Sequence, residues 1–232
     1  MKIISILGSP NGEKGNTGSL LREVLKGAKS LDADCETISL RGDSIKPCRG
    51  CHNCHKKGKC HLKDEFEPIK AKIMAADGLI LATPNYIYHV SAQLKVFLDR
   101  CAVLIHCMAL EGKYGLSVVT SGGGDELPII EYLNHFLINS GATPVDAVWA
   151  EMGTTLKNNK LDEKISEQAF IAGKNLVEAW KSKRRLATVE RIQDAHRKRM
   201  RELIQYHQTD WVYEYNYWQE RDKKEQLNKM ES

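Results

Sequence analysis

The protein has 232 residues, of which 28% are charged and 42% hydrophobic, and its formal net charge is +4 at pH 7. The length suits one α/β domain of ~150–180 residues with a further segment attached. The composition is typical of a soluble globular protein, and no apolar run approaches the ~20 residues of a membrane span. The first apolar run, IISIL, is shorter than the ~7–15 residues of a signal-peptide core. We therefore expect a cytoplasmic protein with no membrane partner.

The positive charge lies in the C-terminal part of the chain. From residue 181 onward there are 13 Lys and Arg against 9 Asp and Glu, and the rest of the chain has 21 of each. A nucleic-acid-binding domain carries its basic residues along one face. The neutral body therefore argues against a nucleic-acid partner, and the basic tail is interpreted as the solvated face of a helix.

Short apolar runs alternate with helical periodicity over the first 180 residues. Strands are predicted over residues 3–7, 35–40, 78–82, 116–120 and 143–150. Helices are predicted over 17–30, from an N-cap at Ser91, from a cap at Asp125 to Asn139, and over 161–181. This alternation predicts an α/β fold with a doubly wound, five-stranded parallel sheet.

Beyond the sheet the pattern changes. An amphipathic stripe runs from Leu186 to Ile204, and six of the sixteen aromatic residues lie in the segment that contains it and continues to the C-terminus. Aromatic side chains in such number need burial. We predict a body over residues 1–183 and a helical, aromatic C-terminal extension over 184–232 that supports a homo-oligomer.

Ligands of doubly wound sheets bind beyond the carboxyl ends of the strands, where the strand order switches. The first loop there, GSPNGEKGNTGSLL, opens a helix whose free N–H groups favour an anion, and it adds neutral donors. Such a loop can hold a monophosphate without cations, although its spacing is that of neither a P-loop nor GxGxxG. The alternative is a polar surface turn. The candidate donors are Ser9, Asn16, Thr17 and Ser19.

Two further loops reach the same edge of the predicted sheet. The second begins Pro84, Asn85, Tyr86 and Ile87, where backbone amides and rings could flank a planar heterocycle; alternatively it only seats the next helix. The third contains Ser121, Gly122 and Gly123, and glycine after a strand lets a ligand approach the backbone closely or simply permits a turn.

Taken in this order, the three segments resemble the signature segments of the NADPH-dependent FMN reductase superfamily of flavodoxin-like proteins, over roughly residues 1–180. The resemblance implies FMN, with its phosphate in the loop of Ser9, Asn16 and Thr17. It also implies that the isoalloxazine lies against residues 84–87 and 121–123. Asn85 departs from the relatives, which often carry an apolar residue there. Neither a Ser-His-Asp set nor paired carboxylates stand out, so no catalytic acid or base is predicted and the flavin carries the chemistry.

The predicted loop over residues 46–65 is rich in cysteine, with the spacing C-x2-C-x2-C-x5-C. Four thiolates this close can ligate a [4Fe–4S] cluster, and Gly50 and Gly58 permit the tight backbone path. The alternatives are zinc held by the same thiolates, and a metal-free loop before Asp64 and Glu65. The four candidate ligands are Cys48, Cys51, Cys54 and Cys60.

This spacing resembles the compact cysteine motif of the iron–sulfur flavoproteins, a branch of the same superfamily. The resemblance implies a cluster that exchanges single electrons with the flavin in a homodimer or homotetramer. The interleaved His52, His55 and His61 either tune a cluster by hydrogen bonding to sulfur or are polar loop residues.

Three functions are compatible with these patterns. The first is an oxidoreductase that passes electrons from ferredoxin or NAD(P)H, through a cluster and FMN, to a small-molecule acceptor. The second is a cluster-free, NAD(P)H-dependent reductase of FMN, quinones or nitro compounds. The third is a flavodoxin-like electron carrier, which the long tail and near-neutral body disfavour.

Overall fold

A computed structural model describes residues 1–42, 44–157 and 160–230. Strands and helices alternate along the body, and two long helices follow it. The strands are β1 (Lys2–Leu7), β2 (Asp34–Ser39), β3 (Gly78–Tyr86), β4 (His89–Val90), β5 (Tyr114–Ser121), β6 (Thr143–Glu151), β7 (Leu156–Lys157) and β8 (Lys160–Leu161). The helices are α1 (Asn16–Lys29), α2 (Asn53–Lys57), α3 (Phe66–Met74), α4 (Ala92–Asp99), α5 (Ala102–His106), α6 (Glu126–Asn139), α7 (Met152–Thr155), α8 (Glu163–Lys181), α9 (Ala187–Tyr206) and α10 (Val212–Met230).

The central sheet has the strand order β2-β1-β3-β5-β6, with all four pairings parallel. Counted over these five strands the order is 2-1-3-4-5, the doubly wound order of flavodoxin-like folds. The predicted five-stranded parallel sheet is confirmed. The two-residue strand β4, which pairs antiparallel with β3, was not predicted because it is too short to show a period. The strand order switches between β1 and β3, so the loops that follow these strands flank one crevice.

Two apolar layers hold the helices on opposite faces of the sheet. Along β1 the side chains alternate, so that Ile4 and Ile6 enter one layer, whereas Ile3 and Leu7 enter the other. This is the two-residue period of a strand that is buried on both faces. The first layer includes side chains of α3, α4 and α6, and the second includes those of α1 and α8.

The two predicted helix caps have different outcomes. Ser91 accepts a hydrogen bond from the Leu94 amide at 3.3 Å and donates one to the Gly8 carbonyl at 2.5 Å, so it caps α4 and ties it to the end of β1. The prediction for Asp125 is wrong: this residue has a left-handed backbone, and its side chain forms no cap hydrogen bond within the described chain. A cap needs an extended backbone to aim its oxygen at the first turn, and a φ of 62° does not provide one.

The C-terminal segment forms the helices α9 and α10, which pack on the body as well as on each other. Trp218 is 3% exposed, lies in an apolar cluster with Met108, Met200 and Ile204, and donates from Nε1 to the His106 carbonyl at 3.0 Å. Helix α10 packs against α2 of the cysteine-rich segment. Part of the aromatic tail is therefore buried within one chain. Among the helices of the described residues, none is both long enough and apolar enough to cross a membrane.

Candidate functional site

A cavity of about 630 Å³ lies at the sheet edge, where the loop after β1 meets the carboxyl ends of β3 and β5. Eight of the eleven residues predicted to bind a cofactor line it: Ser9, Asn16, Thr17, Pro84, Asn85, Tyr86, Ser121 and Gly122. The other three lie elsewhere. Ser19 is half-buried one turn along α1, Ile87 is 90% exposed at the tip of its loop, and Gly123 is exposed.

One end of this cavity suits an anion. Helix α1 begins at Asn16 after Gly15, which has no side chain, so the first-turn N–H groups have no side-chain cap within the described residues. Such amides, together with the helix dipole, favour phosphate. The buried hydroxyl of Thr17 lies 2.6 Å from that of Thr120, which fixes the start of α1 against the end of β5.

Two cations also line this cavity, and the sequence analysis had missed them. Lys14 lies in the first loop, and Arg41 follows β2, outside the three loops that were singled out. The signal for Arg41 was available, because β2 is the neighbour of β1 and its carboxyl end reaches the same edge. A monophosphate here would meet positive charge as well as neutral donors.

The opposite end of the cavity is a polar wall held by side chain–backbone contacts. Asn85 donates from Nδ2 to the Gly124 carbonyl at 3.1 Å, while its Oδ1 is buried and has no hydrogen-bond partner among the described residues. The Ser121 hydroxyl donates to Glu126 and accepts from the Gly124 amide at 3.0 Å. A buried acceptor without a partner is costly, so Asn85 Oδ1 fits a ligand that carries an N–H group.

A second, smaller cavity of about 80 Å³ brings the four predicted cysteine ligands together. Cys48, Cys51, Cys54 and Cys60 all line it, and all are free thiols. The backbone around them turns sharply, with left-handed φ values of 61° at Gly50, 57° at His52 and 70° at Gly58. Gly50 and Gly58 thus have the left-handed conformation that glycine favours, and His52 adopts it too, while their role around a cluster stays a prediction.

A buried ion pair supports this cavity from the side of the body. Arg100, at the end of α4, donates to both carboxylate oxygens of Asp64 and to the Lys46 carbonyl, and the two side chains are only 1% and 4% exposed. Although burial opposes ionisation, the bonds from Arg100 and from the amides of Lys46 and Phe66 hold the pKa of Asp64 below its ordinary value. The residues on both sides of the cysteines are therefore fixed to α4.

Arg100 also faces the cysteines. It lines their cavity, and its guanidinium contacts Cys60. Its Nε is buried, and in the described part of the chain it has no hydrogen-bond partner. An unpaired donor beside four thiols suits an anionic group that carries sulfur.

A network of two histidines and a glutamate lies beside the cysteine cavity. Glu214, on α10, is fully buried, and its two oxygens lie 2.7 Å from His55 Nδ1 and 3.0 Å from His106 Nδ1. Burial opposes the charge on both partners, yet hydrogen bonds to Cys54 and Glu214 raise the pKa of His55 to about 10, and the imidazoles lower the pKa of Glu214. The three ligand atoms lie within 4.8 Å of one another, close enough to hold a divalent cation. The sequence analysis did not find Glu214 or His106, since they lie far from the cysteines in the chain.

The histidines of the cysteine segment differ in burial. His55 is buried in the network, whereas His52 and His61 are exposed. His61 Nδ1 lies 3.4 Å from Cys51 Sγ, and His55 is hydrogen-bonded to Cys54, so two of the three contact a candidate ligand directly.

The chain is similar to known proteins over most of its length. Residues 1–155 match the family described as NADPH-dependent FMN reductase. The chain is 30% identical over 222 residues to an iron–sulfur flavoprotein of Archaeoglobus fulgidus, covering 95% of this chain and 99% of that one. The chain belongs to the NADPH-dependent FMN reductase family, in its iron–sulfur flavoprotein branch. The resemblance stated from the sequence is confirmed, and the protein is a flavin-dependent oxidoreductase.

Other similar proteins support the same placement. An iron–sulfur flavoprotein of Methanocaldococcus jannaschii is 41% identical over 143 residues, which cover 60% of this chain and 74% of that one. A solved structure of an archaeal flavodoxin has a TM-score of 0.52 at 17% identity and covers 78% of this chain and 99% of that chain. The flavodoxin-like fold is therefore confirmed.

Proposed function

We propose that the protein binds FMN in the larger cavity and a [4Fe–4S] cluster in the smaller one, and passes electrons between them to a small-molecule acceptor. The observation that carries the proposal is the meeting of four free thiols in one cavity of a chain whose fold and family are those of flavin enzymes.

The residues of the larger cavity fit FMN. Ser9, Asn16 and Thr17 would hold the phosphate with the first-turn amides of α1, and Lys14 and Arg41 would add positive charge. Thr17 is 2% exposed, so a phosphate there would be partly withdrawn from water. Ser19, the fourth residue of α1, does not line the cavity and would not contact the phosphate directly.

The wall formed by the carboxyl ends of β3 and β5 fits the flavin ring. Pro84, Asn85 and Tyr86 would lie along it, and Ser121 and Gly122 would approach it from β5. The unpaired Oδ1 of Asn85 would accept from an N–H group of the ring. When bound, FMN supplies one- and two-electron chemistry, and the chain holds, orients and shields it. Ile87 and Gly123 do not line the cavity, so they would not contact the flavin ring directly.

The donor set of the smaller cavity fits an iron–sulfur cluster. Thiolates are the ligands of such clusters, and the C-x2-C-x2-C run is typical of them. Cys48, Cys51, Cys54 and Cys60 would be the ligands, and Arg100 would face the cluster's negative charge with its unpaired Nε–H. Zinc would accept the same four thiolates, so metal analysis must separate the two.

A one-electron centre beside a flavin suits a one-electron donor such as ferredoxin, with the flavin collecting electrons for a two-electron acceptor. NAD(P)H is the alternative donor, because a hydride could pass directly to the flavin of a cluster-free reductase. The test is anaerobic purification followed by iron, zinc, sulfide and FMN analysis, and then measurement of the rates of flavin reduction by ferredoxin and by NADPH.

We expect one FMN and about four irons per chain, and faster reduction by ferredoxin. A protein that takes up no iron on anaerobic reconstitution but is reduced rapidly by NADPH would be the cluster-free reductase. A protein that binds no flavin even after incubation with FMN would contradict the central assignment.

We further propose a homodimer or homotetramer. Trp218 is buried within its own chain and does not need a partner subunit to cover it. Tyr206, by contrast, is 83% exposed, and Tyr213 is 38% exposed. Full burial of an aromatic side chain of 150–250 Å² is worth several kcal/mol at ~25 cal/mol/Å². Light scattering of the full chain and of a chain truncated after Arg185 tests this. A monomeric full-length protein would exclude the assembly. If the truncated protein kept the same number of chains per particle, the tail would not contribute to the assembly.

A further inference from the structure

The cysteine segment has almost no core of its own. Between residues 48 and 61 only His55 and Gly58 are buried. Helix α2, which carries Cys54 and His55, has five residues and left-handed residues at both ends. A helix this short is not stable by itself, so its position depends on what packs against it.

The first turn of α10 and Trp211, the residue just before it, cover both buried positions. Trp211 stacks on the His55 imidazole, with ring centroids 4.5 Å apart and an interplanar angle of 19°. At Gly58 the backbone approaches Tyr213 so closely that a Cβ atom would overlap its ring. Glu214, the residue that follows Tyr213, binds His55 Nδ1 at 2.7 Å.

Glu214 is in turn anchored to the body. Its other oxygen lies 3.0 Å from Nδ1 of His106, at the end of α5, and the His106 carbonyl accepts from Trp218. One fully buried carboxylate thus joins α5, α10 and the cysteine segment. A buried charge of this kind holds its partners in one geometry, because losing either contact leaves it unpaired.

We propose that Glu214 is a positioning residue of the cysteine cavity, and that through His55 it fixes the segment carrying Cys54, so that α10 supports the metal site from behind α2. This proposal rests on the proposed function for the identity of the metal group, but the contacts themselves do not. The C-terminal extension then serves the redox centre of its own chain, whether or not it also joins subunits.

The test compares full-length wild type with Glu214→Gln, and uses Glu225→Gln as a matched control. Glu225 lies on the same helix but is paired with Arg221 and Arg201 at the surface. Glutamine keeps the size of glutamate yet cannot accept from two imidazoles with both terminal atoms. We expect anaerobically reconstituted Glu214→Gln to release iron to a chelator at least about fivefold faster than wild type, with FMN content unchanged. Glu225→Gln should match wild type. Equal release rates for all three proteins would overturn the proposal.

A second measurement does not depend on the metal. In the metal-free proteins, amide hydrogen exchange over residues 48–60 should be faster in Glu214→Gln than in either comparison, while exchange in β1 and β5 stays the same. Unchanged exchange over 48–60 would overturn the proposal even if no cluster can be formed. Iron absent from wild type, together with faster exchange in the variant, would instead refute the cluster alone.

The same atoms could bind an ion, and the test includes that outcome. If Cys51→Ala retains one equivalent of zinc or iron that Glu214→Gln lacks, then the two histidines and Glu214 form a metal centre. That result would overturn Glu214 as a hydrogen-bonding support.

Discussion

The two cavities are built in opposite ways. The larger one lies at the carboxyl edge of the sheet, where β1, β3 and β5 end beside one another, and much of its wall is backbone and small polar side chains. The smaller one is formed by an irregular segment whose position depends on charged and aromatic side chains from α4, α5 and α10. The first is a property of the fold, whereas the second is an irregular segment held by long-range contacts. Changes in one should therefore leave the other intact.

The sharpest test of this independence is Cys51→Ala. Cys51 is exposed, so its removal leaves no buried void, but a [4Fe–4S] cluster would lose one of its ligands. We expect iron to fall from about four per chain to nearly none, while FMN content and the far-ultraviolet circular dichroism spectrum are retained. Cys35→Ala, outside the segment, is the control. Joint loss of FMN and iron would show that the two sites are not independent.

The next largest effect is expected at the ion pair that supports the cysteine segment. Arg100→Gln leaves the buried Asp64 carboxylate without its partner, and such a change costs about 3–5 kcal/mol. Arg197→Gln, at a more exposed ion pair with Glu111, should cost no more than about 1 kcal/mol. Urea unfolding of the metal-free proteins measures both. Equal losses would mean that the buried pair adds nothing beyond an ordinary surface bridge.

The larger cavity has its own selective change. Thr17→Glu places a carboxylate at the start of α1, where the FMN phosphate is proposed to bind, and like charges brought together cost several kcal/mol. FMN affinity should fall at least about a hundredfold, and iron content should not change. Thr17→Ser, which retains the hydroxyl facing Thr120, is the control. FMN titration followed by flavin fluorescence measures the affinities, and wild-type affinity in Thr17→Glu would place the phosphate elsewhere.

The difference between the cavities also explains what the sequence could predict. The strands and most of the larger cavity follow from local signals, since apolar runs define strands and parallel strands end at one edge. Arg41 was not predicted, because it follows β2 and not one of the three strands whose ends were expected to border the cavity. Ile87 was placed in the cavity, yet its left-handed backbone, with φ of 48°, turns the loop tip outward.

For the smaller cavity, spacing identified the four cysteines but not what holds them. Arg100 lies 40 residues beyond Cys60, and Glu214 lies 159 residues beyond His55. Nothing local in DWVYEYNYW marks Glu214 as buried, because its burial depends on α10 docking against α2. Contacts of such separation follow from the tertiary structure and not from the period of a single element.

The smallest expected effect concerns the docking of the C-terminal extension against α5, beside the cysteine cavity. His196 on α9 is 5% exposed, and its Nε2 lies 3.2 Å from the Ile105 carbonyl, next to His106. Burial lowers its pKa below the ordinary value of 6.5, although the bond to Ile105 opposes this. A histidine with a lowered pKa in the folded state contributes stability that is present above pH 6.5 and is lost as the pH falls through the folded-state pKa. His55, with a raised pKa, has the opposite dependence.

Wild type should therefore lose more stability between pH 7 and pH 5 than His196→Gln, whose amide can still donate to Ile105. Urea midpoints at the two pH values measure this difference, with exposed His89→Gln as the control. The same pH dependence in wild type and His196→Gln would show that His196 does not make docking of the extension sensitive to acid.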